Sequence, residues 1–282
     1  VIADFKKNIV MANLVTRFDH NGKRGDSIQI PKFTRSSASA KSAGSEVTLV
    51  APTHGSVTLT INKHFEHSVL LEDIVAVQAI DTLRQHYTED AGYSLAKQID
   101  TDLIQLARSS QGGNSTAAYN KAVIGGDGST DYVAGSNNET AVTDAGIRKV
   151  IQTLDDADVP TDQRFLMVPA AMRNTLMGLS RFTEQAFTGE GGAANTIRNG
   201  VIGNLYGVTV YVSSNADTTS GSGNARVALL GHPSAFGLAM QQNVRTQTQY
   251  KQEYLADLFT ADVLYGVAEL RDDAAVAIAV PA

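Results

Sequence analysis

The chain has 282 residues, of which 43% are hydrophobic and 18% charged, proportions that fit a globular protein with a sizeable core. It has no cysteine, which excludes disulfide bonds, thiolate nucleophiles and zinc sites with cysteine ligands. No apolar run approaches the roughly 20 residues that span a bilayer, and the first residues lack the apolar core of a signal peptide. We therefore expect a soluble protein that is not secreted.

The charge is distributed unevenly along the chain. The net charge is −6, but residues 1–41 hold eight Lys and Arg against three Asp, a net of +5, which leaves −11 for the remainder. A basic segment of this kind can bind nucleic-acid phosphates or the acidic surface of an identical neighbour, and the scarcity of aromatic residues favours the neighbour. The candidate inter-subunit contacts are the eight cations: Lys6, Lys7, Arg17, Lys23, Arg24, Lys32, Arg35 and Lys41.

Two segments near the N-terminus alternate like half-buried strands. Residues 27–33 form the first, with Pro31 typical of an edge strand, and residues 56–63 form the second. Small residues over 36–44 separate them. The pattern predicts a long two-stranded hairpin, and because an isolated hairpin is marginally stable in water, we expect it to lie against another chain.

Helical periodicity follows from residue 68 to residue 111. Apolar residues spaced by three and four predict a helix over 71–85 and a long helix over 89–110, with Gly92 as a point where the long helix could break. Residues 112–140 are polar and glycine-rich. Their Gly-Gly-Asp-Gly-Ser-Thr-Asp run suggests calcium but lacks the closing glutamate of an EF-hand loop, so a loop without metal is favoured.

A βα unit is predicted in the middle of the chain. A helix opens at Thr143, an apolar strand covers 164–168, and Pro169 lies in the first turn of the next helix. We expect this α/β region to be a subdomain of its own.

The run GVIGNLYG over residues 200–207 has the glycines of a phosphate-binding loop. It lacks the lysine that such a loop needs, and it precedes the strand Val208–Ser213 where a dinucleotide fingerprint would open a helix. The run is therefore predicted to be a structural turn, with Gly203 and Gly207 at tight bends.

The last third of the sequence is mostly strand. Residues 225–231 are apolar enough for a central strand, residues 233–239 predict a short helix, and residues 245–251 alternate. Residues 262–271 and 274–280 predict a hairpin that turns at Asp272 and Asp273. The fold class is α+β, with a mixed inner subdomain inserted between a long helix and a closing sheet.

Residues that could bind a metal do not fall in a suitable pattern. In a strand, His64 and Glu66 share one face while His67 points away, and the sequence has no HExxH motif. The three aspartates within 155–158 follow a surface helix, where such a cluster is usually solvated. We expect no metal and no cofactor.

Nucleophilic and acid–base catalysis are also poorly supported. His232 and Ser234 lie close in sequence, but the GxSxG motif is missing. Asp100 and Asp102 are two residues apart on a helix and so do not face each other. We expect the protein not to be an enzyme.

Five segments in the same order resemble the major capsid proteins of tailed bacteriophages, which have the Hong Kong 97-like fold. The segments are VTLTINKHFEHSVLLEDI (57–74), YTEDAGYSLAKQIDTDLI (87–104), RFLMVPAAMRNTL (164–176), GVIGNLYGVTVYVSSN (200–215) and VALLGHPSAFGLAMQ (227–241). Each segment is weak alone, and the resemblance depends on their common order over most of the chain.

The resemblance implies a division of the chain into four parts. These are an N-terminal arm (1–25), an extended loop over a neighbouring subunit (26–67), a peripheral domain (68–140 and 225–282) with a spine helix over 87–111, and an axial domain (141–224).

The resemblance also implies a function and partners. The protein would self-assemble into hexamers and pentamers of an icosahedral virion shell around double-stranded DNA, after assembly in the host cytoplasm. Its partners would be further copies, portal and scaffolding proteins, a decoration protein in some shells, and DNA held without sequence specificity, with no membrane. The alternatives are an encapsulin-like compartment with enzyme cargo, or a small-molecule enzyme that uses residues 141–213.

Overall fold

The computed structural model describes most of the chain. The described residues are 9–22, 24–33, 36, 38–47, 49, 54–72, 83–108, 124–130, 132, 139–179, 203–215 and 225–281. Among them are three α-helices: α1 (Leu83–Arg108), α2 (Asp144–Asp156) and α3 (Ala170–Gly178).

The strands form three sheets. In chain order they are β1 (Thr16–Asp19), β2 (Ser27–Phe33), β3 (His54–Thr60), β4 (Lys63–Glu72), β5 (Ile124–Gly125), β6 (Phe165–Val168), β7 (Asn204–Leu205), β8 (Val208–Val212), β9 (Arg226–Gly231), β10 (Phe236–Lys251), β11 (Ala256–Glu269) and β12 (Ala275–Val280). The sheet orders are β1-β10-β11-β4, β5-β12-β9-β6-β8-β7 and β2-β3.

Helix α1 packs on the four-stranded sheet, against β4 and β11. Its buried face repeats every four residues through Ala91, Leu95, Ile99 and Leu103, as expected for an amphipathic helix on a sheet. The helix is continuous and begins at Leu83, earlier than predicted. Gly92 does not interrupt it, because packing of this face stabilises the helix by more than the roughly 1 kcal/mol that one glycine costs.

The six-stranded sheet is buried on both faces around β9 and β12. Strand β12 is buried at every position, and β9 at every position after Arg226. Strand β6 leads through Pro169 directly into helix α3, which confirms the predicted βα unit, and β6 runs parallel to β8. Helix α2 covers this sheet and opens at Thr143, whose side-chain oxygen accepts a hydrogen bond from the amide of Gly146.

Three predictions for the sheet regions were wrong. Residues 71 and 72 end strand β4 rather than begin a helix, because β4 pairs over its full length with β11. Residues 236–239 begin β10, so the predicted short helix is only a 3-10 turn over Pro233–Ala235. Strand β12 pairs with β9 and β5, not with β11, so the predicted C-terminal hairpin does not form.

The segment that ends at Gly207 is a turn, as predicted. Leu205 pairs with Val208, and the two residues between them, Tyr206 and Gly207, have φ of 50° and 84°. Two successive left-handed residues make the tight turn that matches the twist of a hairpin, and glycine suits the second position. The left-handed conformation thus falls on Tyr206 and Gly207, not on Gly203. Residues 200–202 and the glycine-rich 183–199 lie outside the described residues.

Asp100 fastens three distant segments together. Its carboxylate on α1 accepts hydrogen bonds from the backbone amides of Val10 at 3.2 Å and Met11 at 2.8 Å, and from Asn215 Nδ2 at 2.9 Å. Asp100 is fully buried, so each of these bonds offsets part of the cost of removing a carboxylate from water. The residue that the sequence offered as half of an acid pair is therefore structural.

Candidate assembly surface

The β2–β3 hairpin forms a two-stranded sheet of its own. Its ladder runs from the pair Ser27 and Thr60 to the pair Phe33 and His54, where the two rings meet edge to face at 5.1 Å. Phe33 is 72% exposed, and Leu49, in the connection beyond the ladder, is 90% exposed. The hairpin and its connection therefore present large apolar side chains to solvent at Phe33 and Leu49.

The base of the hairpin is fixed to the four-stranded sheet. Leu59 and Ile61 are buried, and Ile28 and Ile30 pack against the same small cluster. Gly266 on β11 permits this contact, because a Cβ at that position would lie only 2.3 Å from the carbonyl oxygen of Thr60. The base of the hairpin is thus packed on the sheet, while Phe33 at the other end of its ladder remains largely exposed.

A small charged cluster joins the hairpin to the turn between β11 and β12. Lys32 Nζ lies 3.9 Å from Asp272 Oδ1, and both side chains are largely exposed. Burial and the neighbouring Asp272 raise the pKa of Glu269 to about 7, while Lys32 opposes that rise. Lys32 of the hairpin therefore interacts electrostatically with Glu269, whose pKa is raised to about 7.

A groove of about 690 Å³ lies between the hairpin and the body. Its apolar lining comes from Ile30, Pro31, Phe33, Val57 and Leu270. Strands β2 and β3 form one wall of the groove, and the turn between β11 and β12 belongs to the other wall. The groove therefore lies where the hairpin leaves the body.

The structure describes four of the eight cations that the sequence suggested as contacts. Arg24, Lys32 and Lys41 are exposed on the segments before, within and beyond β2. Arg17 is exposed but bonded within the chain, since its guanidinium donates to the carbonyl of Ala12 at 2.9 Å and to the side chain of Asn13 at 2.7 Å. Lys6, Lys7, Lys23 and Arg35 lie outside the described residues.

His232 and Ser234, which lie close in sequence, have a structural role. His232 Nδ1 lies 2.8 Å from the Ser234 hydroxyl and also accepts the Ser234 amide, so the imidazole caps the 3-10 turn. Burial and the charges of Arg164 and Arg271 lower the pKa of His232, which keeps the ring neutral for that role.

The aspartates also serve the fold. Asp155 pairs with the buried Arg164 at 2.7 Å, and Asp102 accepts the hydroxyl of Tyr265 at 2.5 Å. His64 Nε2 lies 3.3 Å from Asp262, whose pKa is lowered chiefly by its hydrogen bonds from Arg245. Within the described part of the chain, no three His, Asp or Glu side chains are grouped to hold a metal ion.

In the glycine-rich loop, Asp127 organises a turn. Its carboxylate accepts bonds from the amides and hydroxyls of Ser129 and Thr130 and from the hydroxyl of Thr140. These bonds, led by that of the Thr130 hydroxyl, hold the pKa of Asp127 far below its usual range. The carboxylate oxygens of Asp127 are thus engaged with donors of the loop itself, and Asp131, the second aspartate of that run, lies outside the described residues.

The fold matches those of solved phage capsid proteins. The structure is similar to that of Mycobacterium phage Che8 (TM-score 0.77, 24% identity, 99% of this chain and 93% of that chain covered). It is also similar to the capsid of cyanophage P-SCSP1u, with a TM-score of 0.76 and 18% identity over 99% of this chain and 90% of that chain. The capsid of Ralstonia phage GP4 gives a TM-score of 0.72 and 15% identity over 100% of this chain and 93% of that chain. Identities this low show the shared fold alone. No curated protein matches the chain.

The model of the phage capsid protein family matches residues 14–280. The chain therefore belongs to the phage capsid protein family. This confirms the resemblance to the major capsid proteins of tailed phages and the predicted α+β capsid fold. The protein is a major capsid protein and is located in the virion. In the described part of the chain, no helix is long and apolar enough to cross a membrane.

Proposed function

We propose that many copies of this chain form the hexamers and pentamers of an icosahedral shell around double-stranded DNA, and that the β2–β3 hairpin of each copy lies on a neighbour. The observation that carries the proposal is the hairpin itself. Its base packs on the four-stranded sheet, and Phe33 at the other end of the ladder and Leu49 beyond it are 72% and 90% exposed. Apolar side chains in such positions are typical of protein interfaces.

The energetic argument rests on repetition of small contacts. Full burial of one large apolar side chain contributes about 1.5–3 kcal/mol, part of which offsets the loss of freedom on association. One hairpin would therefore hold its neighbour weakly. In a closed shell every copy both gives and receives a hairpin, so that weak contacts sum to a stable particle.

The parts of the chain take their roles from this arrangement. Residues 1–25 act as an arm, 26–67 as the extended loop, 68–140 and 225–282 as the peripheral domain with spine helix α1, and 141–224 as the axial domain. The basic segment 1–41, which includes Arg24, Lys32 and Lys41, contacts the acidic surface of adjacent copies. Portal, scaffolding and decoration proteins are further partners, and assembly takes place in the host cytoplasm.

Electron microscopy and sedimentation of the purified protein test the proposal. We expect closed icosahedral particles, which contain DNA when isolated from infected cells. A protein that stays monomeric under all assembly conditions would contradict it. Particles that hold an enzyme instead of DNA would point to the encapsulin-like alternative.

A further inference from the structure

Strand β10 has a long open edge. On one side it pairs with β11 from end to end, and the two strands join in a turn where Leu255 is 65% exposed. On its other side β10 pairs with β1 from Gly237 to Met240, and in the described part of the chain no strand lies beside it farther along. Every residue of 243–250 is exposed. Residues 243–251, which we call the β10 edge, therefore present a row of backbone N–H and C=O groups to solvent.

The β10 edge has little of the protection that keeps natural sheet edges apart. It contains no proline, and after the bulge that precedes Arg245 its register with β11 is regular as far as Lys251. The guanidinium of Arg245 donates to Asp262 at 3.1 and 3.0 Å, so its charge is compensated within the chain. Lys251, the other cation, is the last residue of the strand. Such an edge is a template on which another strand can pair.

The exposed side chains of the β10 edge match those of a second, antiparallel copy of the same edge. When Gln247 of one copy lies opposite Gln247 of the other, further pairs form on both sides of that centre: Thr246 with Thr248, Arg245 with Gln249, and Val244 with Tyr250. Val244 and Tyr250 are the large apolar side chains that β10 exposes, at 47% and 46%. Pairs of an aromatic and a β-branched residue stabilise neighbouring strands.

Other centres for the pairing are less favourable. A centre at Thr248 places Arg245 opposite Lys251, and a centre at Arg245 places that cation opposite itself. Like charges directly opposite each other destabilise a strand pair. A centre at Thr246 avoids this repulsion but places Val244 opposite Thr248, away from Tyr250. The centre at Gln247 separates the cations and brings the apolar side chains together.

We propose that the β10 edges of two copies pair antiparallel about a two-fold axis at Gln247, so that their four-stranded sheets become continuous. This pairing deepens the proposed function, on which it rests, by naming one contact of the shell. A hairpin that lies on a neighbour is a head-to-tail contact, which can close a ring, whereas a two-fold contact joins one copy to one other. The β10 edge therefore links neighbouring hexamers and pentamers to each other.

Cysteine cross-linking tests the pairing directly, since the chain has no cysteine. In the proposed register, the cysteine of Gln247→Cys faces its own counterpart across the axis. Residues directly opposite in antiparallel strands have Cα atoms about 4.5–5.5 Å apart, within the roughly 7 Å that a disulfide can span. We expect assembled particles of Gln247→Cys to give covalent dimers on oxidation.

Gln249→Cys is the matched control, because Gln249 is also exposed and lies on the same face of the strand. Its two copies would lie roughly 13 Å apart along the strands, so it should give no dimers. A mixture of Val244→Cys chains and Tyr250→Cys chains tests the register. The mixture should give dimers, and neither variant should do so alone.

The outcomes distinguish the pairing from the proposed function. Normal particles that give no dimers from Gln247→Cys would overturn the pairing and leave the shell intact. Dimers from Gln249→Cys in place of Gln247→Cys would also overturn it, because they would show a different register. If the wild-type chain forms no particles at all, the proposed function fails, and the pairing fails with it.

Two charge variants separate assembly from stability. Gln247→Glu places two carboxylates opposite each other across the axis, so the protein concentration needed for assembly should rise about threefold or more. Gln249→Glu adds the same charge opposite Arg245 of the other copy, so that concentration should stay the same or fall. Both positions are exposed, so both variants should melt within about 2 °C of the wild type. Equal effects of the two variants on assembly would contradict the pairing.

Discussion

The hydroxyl of Tyr265 donates a 2.5 Å hydrogen bond to the carboxylate of Asp102, and this bond ties strand β11 to helix α1. Lys63 Nζ, at the start of β4, lies 3.2 Å from the same carboxylate oxygen. Burial, together with the bond to Asp102 and its charge, raises the pKa of Tyr265 well above its usual range, so the phenol remains a donor at all ordinary pH values.

Tyr265→Phe should therefore destabilise the monomer. The change removes one donor from a buried carboxylate, which costs about 1–3 kcal/mol in the free energy of unfolding. Urea unfolding followed by circular dichroism measures it. The control Tyr254→Phe, at a position 63% exposed, should stay within about 0.5 kcal/mol of the wild type. Equal stability of Tyr265→Phe and the control would contradict the account of this bond.

Gly266→Ala should loosen the base of the hairpin. The added methyl group would meet the Thr60 carbonyl oxygen at 2.3 Å, so either β11 or the β3–β4 connection must shift. We expect a loss of about 1–3 kcal/mol in the free energy of unfolding and faster amide exchange over residues 54–61. Gly92→Ala is the control, because no atom lies within 4 Å of a Cβ at that helical position. It should be neutral or stabilise by up to about 1 kcal/mol, and a loss equal to that of Gly266→Ala would contradict the prediction.

Glu269 should make stability depend on pH near neutrality. Its pKa is raised from 4.5 to about 7, so the folded state binds the proton more tightly than the unfolded state does. The stabilising effect of protonation is complete below the ordinary pKa and is lost as the pH rises toward about 7. Glu269→Gln cannot ionise. Relative to the wild type it should gain stability between pH 5 and pH 8, by an amount on the order of 1–3 kcal/mol. Urea unfolding at both pH values tests this, and a difference that does not change with pH would contradict it.

Part of this structure could be predicted from local sequence patterns. The ladder Ser27–Phe33, the helix that opens at Thr143 and the strand before Pro169 depend on alternation, capping and short-range periodicity, and all three are present. Family membership followed from the order of weak segments.

The errors have a common cause, which is pairing between residues distant in sequence. Strand β12 has the apolar character of a strand buried on both faces, but the sequence does not say that its partner is β9 rather than the adjacent β11. The groove, the raised pKa of Glu269 and the exposed turn at Leu255 also depend on where β2, β10 and β11 lie in space. No local signal could have identified those features.

The basic residues should contribute to assembly through screened electrostatic contacts. Arg17 holds a turn within its own chain, so the appropriate variant changes only Lys6, Lys7, Lys23 and Arg24 to Gln. In low salt, we expect this variant to assemble more weakly than the wild type. When the salt is raised to about 0.5 M, its assembly should fall by less than that of the wild type, because screening has fewer electrostatic contacts to remove. Light scattering against salt concentration measures this. A salt dependence equal to that of the wild type would remove the electrostatic part of the proposal.

The hairpin end provides the most direct test of the central claim that this element joins copies of the chain. Residues 34–53 are replaced by Asn-Gly, which keeps the pair Phe33 and His54 and closes the ladder with a two-residue turn. A second variant, Val47→Ser with Leu49→Ser, keeps the length and removes only exposed apolar side chains. Analytical ultracentrifugation with electron microscopy compares both variants with the wild type. We predict that the shortened chain remains a folded monomer and forms no stable shell, while the serine variant assembles only at higher concentration. Shells of normal yield and stability from the shortened chain would contradict the account.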